Sequence, residues 1–398
     1  MRIALLSMAV LALCACSSHE AGPASGPVTT PATRIAASAG EHAFQPGINA
    51  ADFIAHVRTL SSDAFAGRGP GTVGEDKTID YIQSQFARIG LQPGNGDSWL
   101  QTVPMVETTA DEASASMVAT VGGATQALKF GTDMVIGTRT GQAQVDIKDS
   151  PLVFIGYGVD APEQQWNDYA GIDVKGKTVV MLVNDPGFHA GDAKLFDGKR
   201  MTYYGRWTYK FEEAARKGAA AALIIHDTEG ASYGWDVVKN SWSGPQYDLP
   251  AKDDPAPRVP AQGWITGEAA TALFKAAGQD LAKLRAAANK RGFKPVPLDA
   301  SLSLALKSTS VKKASRNVVG LLPGSETPDE AIVYMAHWDH LGTHDGETGD
   351  NIYNGAVDNA TGVAAIMEIA ESFRKAKVPP KRSILFLAVT LEESGLLG

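Results

Sequence analysis

Five residues in the last sixty or so positions, His337, Asp339, Asp358, Glu392 and Glu393, carry side chains suited to metal chemistry. Imidazole nitrogens and carboxylate oxygens are the ligands zinc takes where no thiolate is offered. Two zinc ions about 3.5 Å apart can activate one water and hold a tetrahedral intermediate. Such a pair needs a carboxylate that touches both ions, and His or carboxylate ligands for each. It also needs a base close to the water but off the metals. His337 is placed to ligate one zinc. Asp339, two residues on, can accept a hydrogen bond from that imidazole and orient it. Asp358 has the small neighbours Gly355 and Ala360, so it can bridge two ions without steric conflict. Of Glu392 and Glu393, one can bind metal while the other reaches the water. The apolar Leu391 beside them would raise the pKa of the free one.

The elements that must position these groups follow from hydrophobic periodicity. Residues 331–336 form a short apolar run, which predicts a buried strand with His337 and Asp339 just past its end. Over 360–375, Val363, Ile366, Met367, Ile369, Ala370 and Phe373 recur at helical spacing. Asp358 precedes that helix and can also cap it. Residues 383–389 predict a second buried strand, followed by the glutamate pair. Polar side chains gathered at strand C-termini are where open α/β sheets build their sites.

The rest of the chain bounds the reading. Its 398 residues are enough for two domains, and 44% hydrophobic with 20% charged residues is ordinary for a globular protein. A net charge of −8 argues against a nucleic-acid partner and against a basic membrane-binding surface. The two cysteines are Cys14 and Cys16, so any metal must be held by His, Asp and Glu. Residues 1–15 read as an export signal, with Arg2 ahead of the apolar stretch 3–13. Leu13-Cys14-Ala15-Cys16 resembles a bacterial lipobox. That would make Cys16 the lipidated first residue of a periplasmic protein anchored in the outer membrane, since Ser17 and Ser18 follow it. An ordinary signal peptide is the alternative, and it too exports the chain. Residues 17–40 are rich in Ala, Ser, Pro, Gly and Thr and read as a flexible tether.

Helices are predicted over 50–60 and 75–89, the second ended by Gly90, and a strand over 99–106. From about 137 the character changes. Strands at 151–156 and 220–226 with a helix at 211–217 suggest a small α/β unit. A helix over 267–290 returns the chain. Strands over 298–306 and 317–322 then flank a Lys-rich turn at Lys312 and Lys313.

The order H-W-D, V-D-N-A-T-G, E-E-S-G resembles the co-catalytic zinc aminopeptidases. These are exopeptidases related to bacterial leucyl aminopeptidases and glutamate carboxypeptidase II. The stretch L-S-S-D-A-F-A-G-R-G-P-G-T-V-G-E and the region 157–226 resemble the subgroup with an inserted protease-associated (PA) domain. The resemblance implies an α/β fold: a mixed sheet flanked by helices, of zinc-peptidase type, incomplete at the C-terminus and carrying a small PA-type insert. It divides the chain into peptidase parts at 41–136 and 296–398 and an insert at 137–295. It makes His337 and Glu393 zinc ligands, Asp358 the bridging ligand, Asp339 the supporter of His337 and Glu392 the general base. It implies two zinc ions, peptide substrates, and membrane contact only through a lipid anchor. It also implies an Asp and a His ligand beyond position 398, so the 398-residue chain is expected to be inactive and a longer parent active.

Two rivals stand beside this expectation. One is a metallo-carboxypeptidase or deacylase of related fold, and the other a binding protein with a degenerate peptidase domain. Taken singly, several residues have plainer readings. His340 and His344 are expected to be solvated loop histidines. Arg68 is expected to brace its Gly-rich turn rather than bind a substrate carboxylate. No chemistry is assigned to His189 or His226. Tyr203, Tyr204, Trp207 and Tyr209 are expected to pack within the insert, where aromatic residues could line the approach to the site.

Overall fold

The computed structural model describes residues 42–344 and 349–398; the stretches expected to be an export signal and a tether, with Cys16, lie outside them. Phe44–Gly398 form one compact unit. Among the described residues, a mixed sheet of thirteen strands runs through the molecule with helices packed against it.

The sheet has two halves joined by one long strand, Val296–Leu322. Its N-terminal part pairs with Ser116–Val121 and Gln144–Phe154. Its C-terminal part pairs antiparallel with Leu100–Ala110 and Arg382–Val389. The turn expected at Lys312 and Lys313 is therefore absent, and both lysines sit in mid-strand opposite Val106 and Met105. The reason is local. No Gly or Pro interrupts 298–319, and the facing strand supplies a ladder partner together with Glu107, which accepts from Lys313 Nζ at 2.5 Å.

In the half that holds the site, Thr327–His337 runs parallel to Arg382–Val389. Ile384, Phe386 and Ala388 alternate inward from the second strand. They meet Ile79, Ile82 and Phe86 of the helix Val73–Ile89, and Val363, Ile366 and Met367 of the helix Thr361–Lys375. Thr72 caps the first of these helices by accepting from Gly74 N, and Gly90 ends it at φ +88°. The helix Ala50–Leu60 starts at Asn49, whose side chain accepts from Asp52 N at 2.9 Å.

The other half is built on the parallel strands Gln144–Phe154, Thr178–Leu182, Ala221–Ile225 and Ala261–Ile265, with Met134–Gly137 antiparallel at its edge. Both faces are covered, so Leu223 and Ile225 enter one core while Ala222 and Ile224 enter another. The helix expected over 267–290 is two, Gly267–Ala276 and Leu281–Ala288. Gly278 breaks it at φ +70°, and Asp280 caps the second piece.

Candidate metal centre

Parallel pairing brings two strand ends side by side. His337 is in register with Val389, and Trp338 N donates to Val389 O at 2.9 Å. The chain that follows Val389 therefore turns across the end of the His337 strand. Asp339 fixes that turn. It is fully buried, and its carboxylate accepts from Glu392 N at 3.2 Å and Glu393 N at 3.3 Å. The sequence assigned Asp339 to the His337 imidazole. At 3.7 Å from Nδ1 its carboxylate is an ion-pair neighbour of that ring, and Nδ1 instead meets the Asp339 carbonyl at 3.2 Å.

Asp358 arrives from a third segment, in a turn just ahead of the helix Thr361–Lys375. It does not cap that helix, because the Asn359 side chain accepts from Gly362 N at 2.9 Å. Gly355 stands close by, as its small size suggested. A Cβ there would lie 2.4 Å from both Arg68 Nη2 and Asp358 O, and φ is +57°.

Arg68 ties these segments together from below. It is 1% exposed and donates to the carbonyls of Trp338 (2.8 Å), Leu60, Asn354 and Gly355 (2.7 Å each) and Asp358 (3.5 Å). Burial lowers its pKa to about 10, against the pull of Asp339, Asp358 and Glu393. It is a brace with all its donors spent on backbone, as a turn arginine should be.

On this frame the side chains converge. His337 Nε2 lies 3.1 Å from Asp358 Oδ1 and 3.7 Å from Glu392 Oε2. Burial alone would lower the pKa of His337, but Asp339 and Glu392 outweigh it and raise it to about 9. Burial raises the pKa of Glu392, with Glu393, Asp339 and Asp358 adding to it and His337 opposing. His340 is not the solvated histidine expected. Its side chain is 14% exposed, and Nδ1 meets Glu393 Oε1 at 2.7 Å. His344 stays outside, its ring 4.7 Å from that of Tyr353. His189 pairs with Asp227, and His226 with the Tyr233 carbonyl.

Among the described residues, two groups of three have ligand atoms within 4.8 Å of one another: His337, Glu392 and Glu393, and His340, Asp358 and Glu393. Glu393 belongs to both. Two imidazoles and three carboxylates form a donor set of the nitrogen and oxygen type that zinc takes, and their surplus negative charge suits a divalent cation. The site residues therefore fit the metal. Asp339, His340, Asp358 and Glu393 line one side of a cavity of about 920 Å³, a size suited to a small ligand.

Residues 317–398 match the model of peptidase family M28. Aminopeptidase NAALADL1 of Mus musculus is 29% identical over 114 residues, which are 27% of this chain and 14% of that protein. A protein named "Probable zinc metalloprotease" of Pyrenophora teres f. teres is 43% identical over 82 residues, 20% of this chain and 17% of its own. The chain thus spans less than a fifth of the length of these relatives. The solved aminopeptidase from Aneurinibacillus sp. strain AM-1 superposes with a TM-score of 0.45 at 22% identity, over 88% of this chain and 64% of that one. The stretch that carries His337, His340, Asp358, Glu392 and Glu393 is thus the part of the chain that is similar to peptidase family M28.

Proposed function

We propose that this chain is the metal-site part of an exported zinc exopeptidase that removes N-terminal residues from peptides. One observation carries the reading: His337, Asp358 and the Glu392-Glu393 pair, distant in sequence, meet at the rim of one sheet within ligand distance of each other. In this reading His337, Asp358 and Glu393 would hold the zinc, Asp358 in the bridging role that the resemblance implies and Glu393 common to both ligand groups. Bound zinc would lower the pKa of water and polarise the substrate carbonyl.

The chain's own groups do the rest. Glu392 is half-exposed beside His337, and its raised pKa suits it to take a proton from the attacking water and hand it to the leaving amine. Asp339 holds the backbone of both glutamates, so the base and the ligand keep separate directions. Arg68 keeps the Asp358 turn against the His337 strand. The half-sheet around 137–295 corresponds in this reading to the PA-type insert.

Zinc content by atomic emission tests the metal site, and no zinc uptake would overturn it. Hydrolysis of leucine p-nitroanilide against its N-blocked counterpart by the zinc-loaded protein tests the exopeptidase reading, and cleavage of the blocked substrate alone would overturn it. Export and lipidation at Cys16 are read from sequence. Cys16→Ser should move the protein from the membrane to the soluble periplasmic fraction, and unchanged fractionation would remove the anchor.

A further inference from the structure

The turn that carries the two glutamates is fastened on both sides. Ahead of it, Asp339 accepts from Glu392 N and Glu393 N. Just after it, Ser394 O accepts from Arg139 Nη2 at 3.2 Å. Arg139 comes from the other half of the sheet. It lies two residues past the strand Met134–Gly137, which pairs antiparallel with Ala261–Ile265 at the edge of the parallel half.

The Arg139 side chain is itself held, with 15% of it exposed. Its Nε donates to Asp248 Oδ2 at 2.9 Å, and Nη2 donates also to the Tyr247 carbonyl. Those two residues end the strand Pro245–Asp248, which pairs antiparallel with Leu100–Ala110 in the half that holds the site. The Trp207 ring centre lies 5.7 Å from the guanidinium carbon. A guanidinium is planar with its donors in fixed directions, so committing Nε to Asp248 fixes where Nη2 points. Arg139 also lines the cavity of about 920 Å³ beside Asp339, His340, Asp358 and Glu393. Nothing in the proposed chemistry uses it.

We propose that Arg139 is a positioning residue for Glu393. By holding the Ser394 carbonyl it sets the direction of the Glu393 side chain, so zinc affinity depends on how the parallel half docks against the half that holds the site. The inference rests on the reading of the cluster as a metal centre. Glu393 serves both ligand groups and meets His340 at 2.7 Å, so a small rotation of its backbone displaces it from both. Asp339 limits that rotation from the amide side at 3.3 Å, and Arg139 limits it one residue on. The competing role for Arg139 is contact with an anionic group of a substrate in the cavity. That role would leave affinity for metal alone untouched.

Zinc affinity of the 398-residue chain is measured by chelator competition without peptide, and each variant is also melted thermally. Groups that orient a ligand typically change metal affinity by ten- to a hundred-fold, so Arg139→Met should weaken zinc binding by about ten-fold. That variant leaves the buried Asp248 carboxylate with Arg258 alone, at 3.8 Å. The double variant Arg139→Met/Asp248→Asn removes this charge and should bind zinc as weakly as Arg139→Met. Asp248→Asn by itself keeps an acceptor for Nε and should stay close to wild type. Ile224→Ala, in the core of the parallel half, should lower the melting midpoint and leave zinc affinity unchanged. Unchanged affinity in both Arg139 variants would overturn the inference. So would an equal loss of affinity in Asp248→Asn or Ile224→Ala, or loss of the folded state in both Arg139 variants. Wild type that takes up zinc beside unaffected Arg139 variants sinks this inference alone, whereas wild type that takes up none sinks the metal reading.

Discussion

Nδ1 of His340 lies 2.7 Å from Oε1 of Glu393, and this contact joins the two groups of metal-sized spacing because Glu393 belongs to both. A carboxylate that must serve a cation needs its orientation fixed, and the groups that fix ligands typically govern affinity by ten- to a hundred-fold, roughly. His340→Phe should therefore weaken zinc binding by about ten-fold or more, while His340→Gln, which keeps a donor, should retain most of it. Competition against a chelator measures this. Equal affinity of the wild type and the Phe variant would mean that Glu393 is held by other contacts.

The two adjacent glutamates should separate by phenotype. Glu393 sits in both groups, whereas Glu392 is in one and faces His337 at 3.7 Å. Glu393→Gln should lower zinc content. Glu392→Gln should leave zinc content unchanged and reduce kcat by a factor on the order of 10² to 10⁴. Metal analysis alongside kinetics checks both variants, and loss of metal in Glu392→Gln would reverse the two roles.

What the sequence made legible were the strand ends. Apolar runs at 331–336 and 383–389 fall inside the strands Thr327–His337 and Arg382–Val389, and the polar residues after each run lie where such runs must stop. Only the second strand is buried as expected, since Ile332, Val333 and Met335 of the first are exposed. Their parallel pairing is a long-range fact that no local pattern carries. It is what places Asp339 under the backbone of Glu392 and Glu393, more than fifty residues away. His340 was missed for the same reason. It lies in a loop, where no periodicity reports burial, and its partner is Glu393. The H-W-D-H spacing was the one available hint. Asn359 rather than Asp358 caps the helix because both are good caps and only the turn geometry chooses between them. The false turn at Lys312 and Lys313 came from weighing charge over the absence of Gly and Pro.

Arg68 offers a test of the frame independent of metal. Its guanidinium is buried and serves five backbone carbonyls from three segments, at Leu60, at Trp338 and in the turn 354–358. Arg68→Met leaves those acceptors without donors and removes the buried charge that faces Asp339 and Asp358. Loss of one member of a buried charge network costs about 3–5 kcal/mol. Arg68→Lys should be nearly as harmful, because an ammonium has three donors rather than five. Urea unfolding of the metal-free protein gives the number. A change under about 1 kcal/mol for Arg68→Met would show that water can replace the brace.

The charge on His337 makes the metal-free protein sensitive to pH. Burial works against the imidazolium, yet Asp339 and Glu392 outweigh it and lift the pKa from 6.5 to about 9. The folded state therefore binds this proton more tightly than the unfolded chain does. The resulting stability is fully present below about pH 6.5 and is lost as pH rises through about 9. Its size is at most about 3 kcal/mol. Other buried groups titrate in the same window. Lys210, lowered to about 7 by burial, contributes with the opposite sign. The readout is therefore the stability of wild type minus that of His337→Gln, which should fall by about 1–3 kcal/mol between mildly acidic and alkaline pH. Zinc takes the neutral imidazole, so its uptake should release a proton and tighten as pH rises through the same window. Calorimetry in buffers of different ionisation enthalpy counts that proton. A difference that stays flat with pH, or zinc uptake without proton release, would mean that His337 is neutral in the metal-free site and that its acidic neighbours are screened by water.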